Sequence, residues 1–387
     1  MKKITEFDFN NKKTILRLDL NFPIKDGKIL SKDKITSSLK TINYIKDQGG
    51  KVIILSHLGK IKSEEDKIKN SLYVVYEELL NIYKENVYFS SATHGRVLEN
   101  KIDNLKSGDI LLIENTRYED LPNKKESNCD ETLAKYWASL GDLFINDAFG
   151  MTHRKHASNY GIAKYLPSGI GFLIESELKG LEPVINPSRP FIIIMGGAKV
   201  TDKLDVIEGI LPKCDYLLVG GGIANSFLAC NNNVGKSLKD DDKIKKLKEL
   251  LNQYSQKIIM PVDAIVEEND NVMEKNINEL TNDSIIYDIG RKTINQYAKI
   301  IESARTIFIN GTMGLYEDER FADGTKEILQ NISKSKFVKI AGGGDALASI
   351  EKFNITNFDY KSTGGGATLE YIKTGKLNCM NWQNCDN

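Results

Sequence analysis

Four runs of glycine carry the clearest chemical signal in the sequence: Gly196-Gly197, Gly220 to Gly222, Gly342 to Gly344 and Gly364 to Gly366, each directly after a short apolar run. Glycine at the carboxyl end of a parallel strand lets the backbone approach a ligand closely. The helix that follows offers free N–H groups and a positive dipole end to phosphate. One such turn is an ordinary strand-to-helix connection, whereas four in one half of a chain predict a nucleotide cleft. Its backbone contacts are then expected at Gly197, Gly221, Gly222, Gly342, Gly343 and Gly344. In GGAKVTDK, Lys199 and Lys203 stand at i and i+4 of an expected helix opening, which would set both ammonium groups over one anion. Asp345 follows Gly344 and suits either a helix N-cap or a one-carboxylate hold on a magnesium ion. No GxxxxGK[ST] run and no HRD and DFG set occur, so phosphate is handled in another way. Near the N-terminus, Asp19 and Asn21 of LDLNFP lie two apart at a strand end. That spacing points both to one face, where they can hold hydroxyl or carboxylate oxygens directly or through a basic side chain.

These residues need a frame, and the hydrophobic pattern supplies one. From Lys13, β-branched runs such as TILRLDL, KVIILSH and DILLIENT alternate with amphipathic stretches, and a second series of the same kind runs from PFIIIMGG to FDYKSTGGG. Runs of this sort predict parallel strands buried on both faces by helices. The expected fold class is α/β, with two Rossmann-like doubly wound parallel-sheet domains joined by a helix. The expected bounds are 1–168, a connecting helix at 169–189 between Pro167 and Pro190, and 190–371; Glu267 to Asp283 reads as a polar surface excursion. A length of 387 residues agrees with two domains or more. Lys plus Arg is 53 and Asp plus Glu is 53, so no charge excess points to nucleic acid or an anionic membrane, and any anion site must be a local cluster. The N-terminal stretch has no apolar h-region and the longest apolar runs are strand-sized, so a cytoplasmic protein without membrane spans is expected. Five cysteines without a CxxC pair read as reduced spectators, and His94 as a structural or surface residue.

The motifs RLDLNFP, SHLGK, ENTRYE, NDAFGMTHRKHAS, GGAKVTDKL, VGGGIANSFL, VGKS, NGTMGLYE, GGGD and STGGGATLE occur in this order over nearly the whole chain. Together they resemble the phosphoglycerate kinases. The resemblance implies phosphoglycerate on the N-terminal lobe, Mg-nucleotide on the C-terminal lobe with a cleft between, and a tail at about 372–387 returning to the first lobe. It implies reversible phosphoryl transfer from 1,3-bisphosphoglycerate to ADP, giving 3-phosphoglycerate and ATP in glycolysis, in line and after domain closure, by a monomer. By the same resemblance Asp19, Asn21, Lys34, His57, Lys60, Arg117 and Arg154 line the acid site. Glu317 meets the ribose hydroxyls, Asn310 lies near the phosphates, Lys203 on the α-phosphate side, and Asp345 carries Mg2+.

A carboxylate nucleophile, with a pKa of about 4, needs no general base. The reaction requires neutralised charge around the moving phosphoryl group, which Lys34, Lys199, a magnesium ion on Asp345 and the helix N-terminus after Gly365 and Gly366 can supply. The chain departs from the family pattern at Lys34 and Lys60, where the family has arginine, at Thr312, where it has proline, and at Ala346, where it has threonine. Lysine keeps the charge and loses the bidentate fork. Two alternatives therefore stand beside the leading reading: a divergent carboxylate kinase on a related phospho-acid, and a catalytically weak nucleotide-binding scaffold.

Overall fold

The computed structural model describes residues 2–25 and 27–380. The chain divides into two compact units, Met1–Leu178 with the segment that begins at Lys376, and Lys179–Gly375.

In the first unit, β1 (Lys2–Lys3), β2 (Lys13–Leu18), β3 (Lys51–Leu55), β4 (Val87–Ser90), β5 (Ile110–Ile113), β6 (Leu143–Asp147) and β7 (Ser168–Ile170) form one parallel sheet, in the order β1-β7-β6-β2-β3-β5-β4. Its strands are apolar at nearly every position because both faces are covered. Leu16, Val52, Ile54 and Leu112 pack one face on Ile35, Ile42 and Ile45 of helix α1 (Asp33–Asp47), while Ile15, Ile53, Leu111 and Ile113 pack the other on Leu98, Ile102 and Trp137. The strand order reverses at β2, so the loops after β2, β3, β5 and β6 gather at one carboxyl edge, where open α/β sheets bind ligands.

In the second unit, β8 (Phe191–Met195), β9 (Tyr216–Val219), β10 (Ile258–Ile259), β14 (Thr306–Asn310), β15 (Val338–Gly342) and β16 (Tyr360–Ser362) form a parallel sheet in the order β10-β9-β8-β14-β15-β16. A separate antiparallel sheet joins β11 (Asp263–Glu268), β12 (Asn271–Asn276) and β13 (Ile285–Ile289). Ile192, Ile194, Ile307 and Ile309 form the core with Ile294, Tyr297, Ile301 and Leu329.

Two stretches differ from the sequence expectation. The connecting helix α2 spans Phe172–Ile185, narrower than 169–189, because Ser168–Ile170 is a strand pairing with both β6 and β1. Its cap comes from afar: Asp147 Oδ1 accepts the Ile174 N–H at 3.0 Å and Thr41 Oγ1 accepts the Phe172 N–H at 3.2 Å. The polar stretch from Glu267 is a β11–β12 hairpin turning at Asn269-Asp270, with φ of 47° and 65°, the left-handed pair that a two-residue hairpin needs. The final segment includes a turn at Asn378–Met380, where the Cys379 N–H donates to Thr152 O at 3.1 Å and Asn378 Nδ2 to His153 O at 2.8 Å. Residues 381–387 of the expected tail lie outside the described residues.

Candidate functional site

The first unit gathers cations at the carboxyl edge of its sheet. β2 ends at Leu18, so Asp19 and Asn21 do not share a strand face as expected. They form an Asx turn instead, in which the Asn21 N–H donates to Asp19 Oδ1 at 3.2 Å. Asn21 Oδ1 accepts the Gly59 N–H at 2.9 Å and braces the loop after β3. Asp19 Oδ2 lies 3.0 Å from Lys34 Nζ, which starts from the first turn of α1. His57 follows β3 and is buried; Arg117 follows β5, with NH1 at 3.3 Å from both Asp120 Oδ2 and Ser127 Oγ. The Arg117 Nε is buried without a partner among the described residues, a donor that a bound oxyanion would satisfy. Arg154 follows β6 and is exposed. Its Nε donates to His153 Nε2 at 3.0 Å, and burial together with Arg154 pushes the His153 imidazole down to about 4.

Like charge also marks the convergence. Burial and the Arg117 guanidinium push Arg154 below its ordinary value, and His57 is pushed well down by burial, Arg17, Arg117, Lys34 and His156. Lys60 is exposed and makes no ion pair among the described residues.

The second unit builds its edge from backbone. Glycine turns follow β8, β9, β14, β15 and β16, and the first three interlock. A Cβ at Gly196 would lie 1.9 Å from Thr312 O, and one at Gly222 would lie 1.9 Å from Ala198 O, so only glycine permits these loops to meet. They border a cavity of ≈ 270 Å³ lined by Gly197, Gly221, Gly222, Leu238, Ile286, Tyr287, Leu315, Glu317 and Asp345, among others. Apolar walls and a few polar groups at strand ends suit a flat heterocycle with a charged end.

The expected i, i+4 lysine pair is not on a helix. Residues 198–203 are irregular backbone ending in a turn, and helix α3 (Leu204–Ile210) begins only after them. Lys199 is exposed with no ion pair among the described residues, whereas Lys203 Nζ donates to Gly196 O at 2.7 Å. Burial pushes Lys203 down to about 8, against the pull of Asp345 and Asp202. Helix α4 (Gly221–Leu228) starts directly at the Gly220 to Gly222 turn. Asp345 is not the N-cap of helix α5 (Gly344–Lys352): Gly343 is, and Asp345 stands in the first turn. Asn310 Nδ2 donates to Gly342 O at 2.7 Å, so this side chain ties two strand ends together. Gly365 caps helix α6 (Gly366–Thr374), and no atom would lie within 4 Å of a Cβ at Gly344 or Gly365. Ala346 is fully buried and does not line the cavity.

A family model described as phosphoglycerate kinase matches residues 4–376. This chain belongs to the phosphoglycerate kinase family. It is 47% identical over 389 residues to the phosphoglycerate kinase of Fusobacterium nucleatum subsp. nucleatum, covering 97% of this chain and 98% of that one. To the phosphoglycerate kinase of Lacticaseibacillus casei it is 45% identical over 378 residues, 96% of each chain. The solved phosphoglycerate kinase of Coxiella burnetii superposes with a TM-score of 0.86 at 34% identity and 98% of both chains. That of Pyrococcus horikoshii OT3 does so with 0.84 at 34% identity, over 99% of this chain and 98% of that one. No helix of the described residues is long and apolar enough to cross a membrane.

Two charged residues, one opening the RLDLNFP motif and one outside the phosphoglycerate kinase motifs, were given no role by the sequence reading. Arg17 is fully buried in β2 and reaches His57, and Glu126 is fully buried behind it. A lone arginine inside the apolar run TILRL was the available signal for the first. Nothing in NKKESN marks Glu126 as the one acid of its loop that is buried.

Proposed function

We propose that this chain catalyses the reversible transfer of a phosphoryl group from 1,3-bisphosphoglycerate to ADP, giving 3-phosphoglycerate and ATP, as a cytoplasmic, monomeric enzyme of glycolysis. The observation that carries this reading is the contrast between the two carboxyl edges: clustered cationic side chains on one, interlocked glycine turns around a heterocycle-sized cavity on the other. Asp19, Asn21, His57, Arg117 and Arg154 hold the phosphoglycerate. Lys34 and Lys60 add charge to the same site. Gly197, Gly221 and Gly222 admit the nucleotide, Glu317 accepts from the ribose hydroxyls, and Lys203 meets its phosphates.

The acceptor carboxylate is already ionised, so no residue removes a proton. Lys199, Lys34 and the N-terminus of α6 at Gly365 and Gly366 neutralise the three equatorial oxygens of the moving group. Asn310 acts at one remove, by holding Gly342, while Gly342 to Gly344 leave the backbone open beside the phosphates. A magnesium ion would be held by Asp345 together with the nucleotide's own oxygens. Among the described residues no three acidic, histidine or cysteine groups come together as a metal cage, which fits an ion that arrives with its nucleotide and needs one protein carboxylate. When bound, that ion neutralises phosphate charge.

No observation favours a related phospho-acid or a scaffold. A coupled assay of ATP-dependent 3-phosphoglycerate consumption tests the proposal on wild type, Lys34→Arg and Lys199→Ala. Robust wild-type turnover is expected; a wild-type rate no higher than that of Lys199→Ala would remove it.

A further inference from the structure

Behind the acid-site cations runs a buried chain of polar groups. Glu126 accepts the Ser158 N–H at 2.9 Å and the Ser158 hydroxyl at 2.5 Å, and its Oε1 lies 3.7 Å from His156 Nδ1. Ser158 Oγ accepts Arg17 Nε at 2.9 Å. Arg17 spends NH1 on the carbonyls of Leu18 and Leu55 and brings NH2 to 3.3 Å from His57 Nδ1. Glu126, Ser158 and Arg17 are all fully buried. A guanidinium only donates, so His57 Nδ1 accepts and the ring proton sits on Nε2.

We infer that Glu126, acting through Ser158 and Arg17, is a positioning residue that holds His57 as its neutral Nε2–H tautomer, so that His57 offers the phosphoglycerate one uncharged donor among cations. The inference rests on reading the first unit as the acid-binding lobe. Three observations support it. A fully buried arginine needs a nearby carboxylate, and Glu126 supplies it through Ser158. Burial pushes the Glu126 carboxyl up, but His156, Arg17 and Ser158 more than offset this and hold it below the ordinary range, so it stays ionised. The groups that act on His57, namely Arg17, Arg117, Lys34 and His156, together with its burial, all oppose a charged ring. A neutral His57 leaves the ligand's negative charge to Arg117, Arg154 and Lys34, and adds direction without adding repulsion among them.

The test labels the full-length chain with 15N-histidine and records two-bond proton–nitrogen correlation spectra at neutral pH. His57 is expected to show an unprotonated Nδ1 and a protonated Nε2; a protonated Nδ1 or an imidazolium in the wild type would overturn the inference without any variant. Glu126→Gln and Ser158→Ala are expected to give a mixture of His57 tautomers. In both variants the KM for 3-phosphoglycerate should rise by about tenfold, the cost of one charge-assisted hydrogen bond, while the KM for ATP changes less than about twofold. Glu126→Asp should recover part of the loss. An unchanged tautomer and KM in both variants would show that the relay does not act on His57. Absence of wild-type turnover would instead remove the proposed function and leave the tautomer result standing.

Discussion

The carboxyl edges of the two parallel sheets are built by opposite means. In the Met1–Leu178 unit the positive charge sits on side chains, Arg17, Lys34, Arg117 and Arg154; burial, and with it the Arg117 guanidinium, lowers the proton affinity of Arg17 and Arg154. Such a site bears a desolvation cost, which Glu126 and Asp120 offset from behind. In the Lys179–Gly375 unit the site is chiefly backbone, with a few charged side chains around it. Its cost is paid in loop geometry that tolerates no Cβ at Gly196 or Gly222. A site made of side chains loses affinity by degrees when one is changed, and a site made of interlocked turns fails as a unit.

That contrast can be broken by substitution. The largest effect is expected for Lys199→Ala, whose loss of a cation at the moving phosphoryl group should lower kcat by about 10²-fold or more, with ADP affinity little changed. Steady-state rates and a separate ADP titration distinguish this from simple loss of binding. Next comes Gly222→Ala, whose Cβ would meet Ala198 O at 1.9 Å. Overpacking there should cost about 1–3 kcal/mol and weaken ADP binding, as read by denaturant unfolding and titration. Gly344→Ala meets no atom within 4 Å and should leave stability nearly unchanged, so equal losses in both variants would sink the interlocked-turn account.

Smaller again is a pH effect. Lys203 is held at about 8 by burial, so it is charged below that pH and neutral above it. The polyphosphate favours the charged form, so ADP affinity should fall as pH rises through about 8, and Lys203→Gln should flatten the profile. The same slope in the variant would assign the titration elsewhere. The smallest change is expected from Lys34→Arg, a gain of a few-fold, up to about fivefold, in kcat/KM for 3-phosphoglycerate from restored bidentate geometry. A loss would show that the Asp19 pairing suits lysine.

The same contrast explains what the sequence made legible. Glycine runs after strands announce themselves, because backbone approach has no other common residue, and β8, β9, β15 and β16 each end at one of those runs or within two residues of it. The acid site was visible mainly by its motifs, since nothing local distinguishes a converging arginine from one on the surface. Arg17 and Glu126 are assigned by packing: they stand far apart in sequence and are linked through Ser158 only when β2 lies against the loop at 126 and the helical turn Ala157–Gly161. The cap of α2 is likewise supplied by Asp147 and Thr41, which local reading does not reach. The β11–β12 hairpin, by contrast, was signalled by Asn269-Asp270 and was overlooked because β12 is polar and mostly exposed, although β11 is largely buried.

The most direct test of separately built sites is calorimetric titration of 3-phosphoglycerate and of ADP, each alone, into wild type and Arg117→Ala. Loss of a buried charge-assisted contact should weaken 3-phosphoglycerate binding by about tenfold or more and leave ADP binding unchanged. Equal weakening of both ligands, or weakening of ADP alone, would contradict the account.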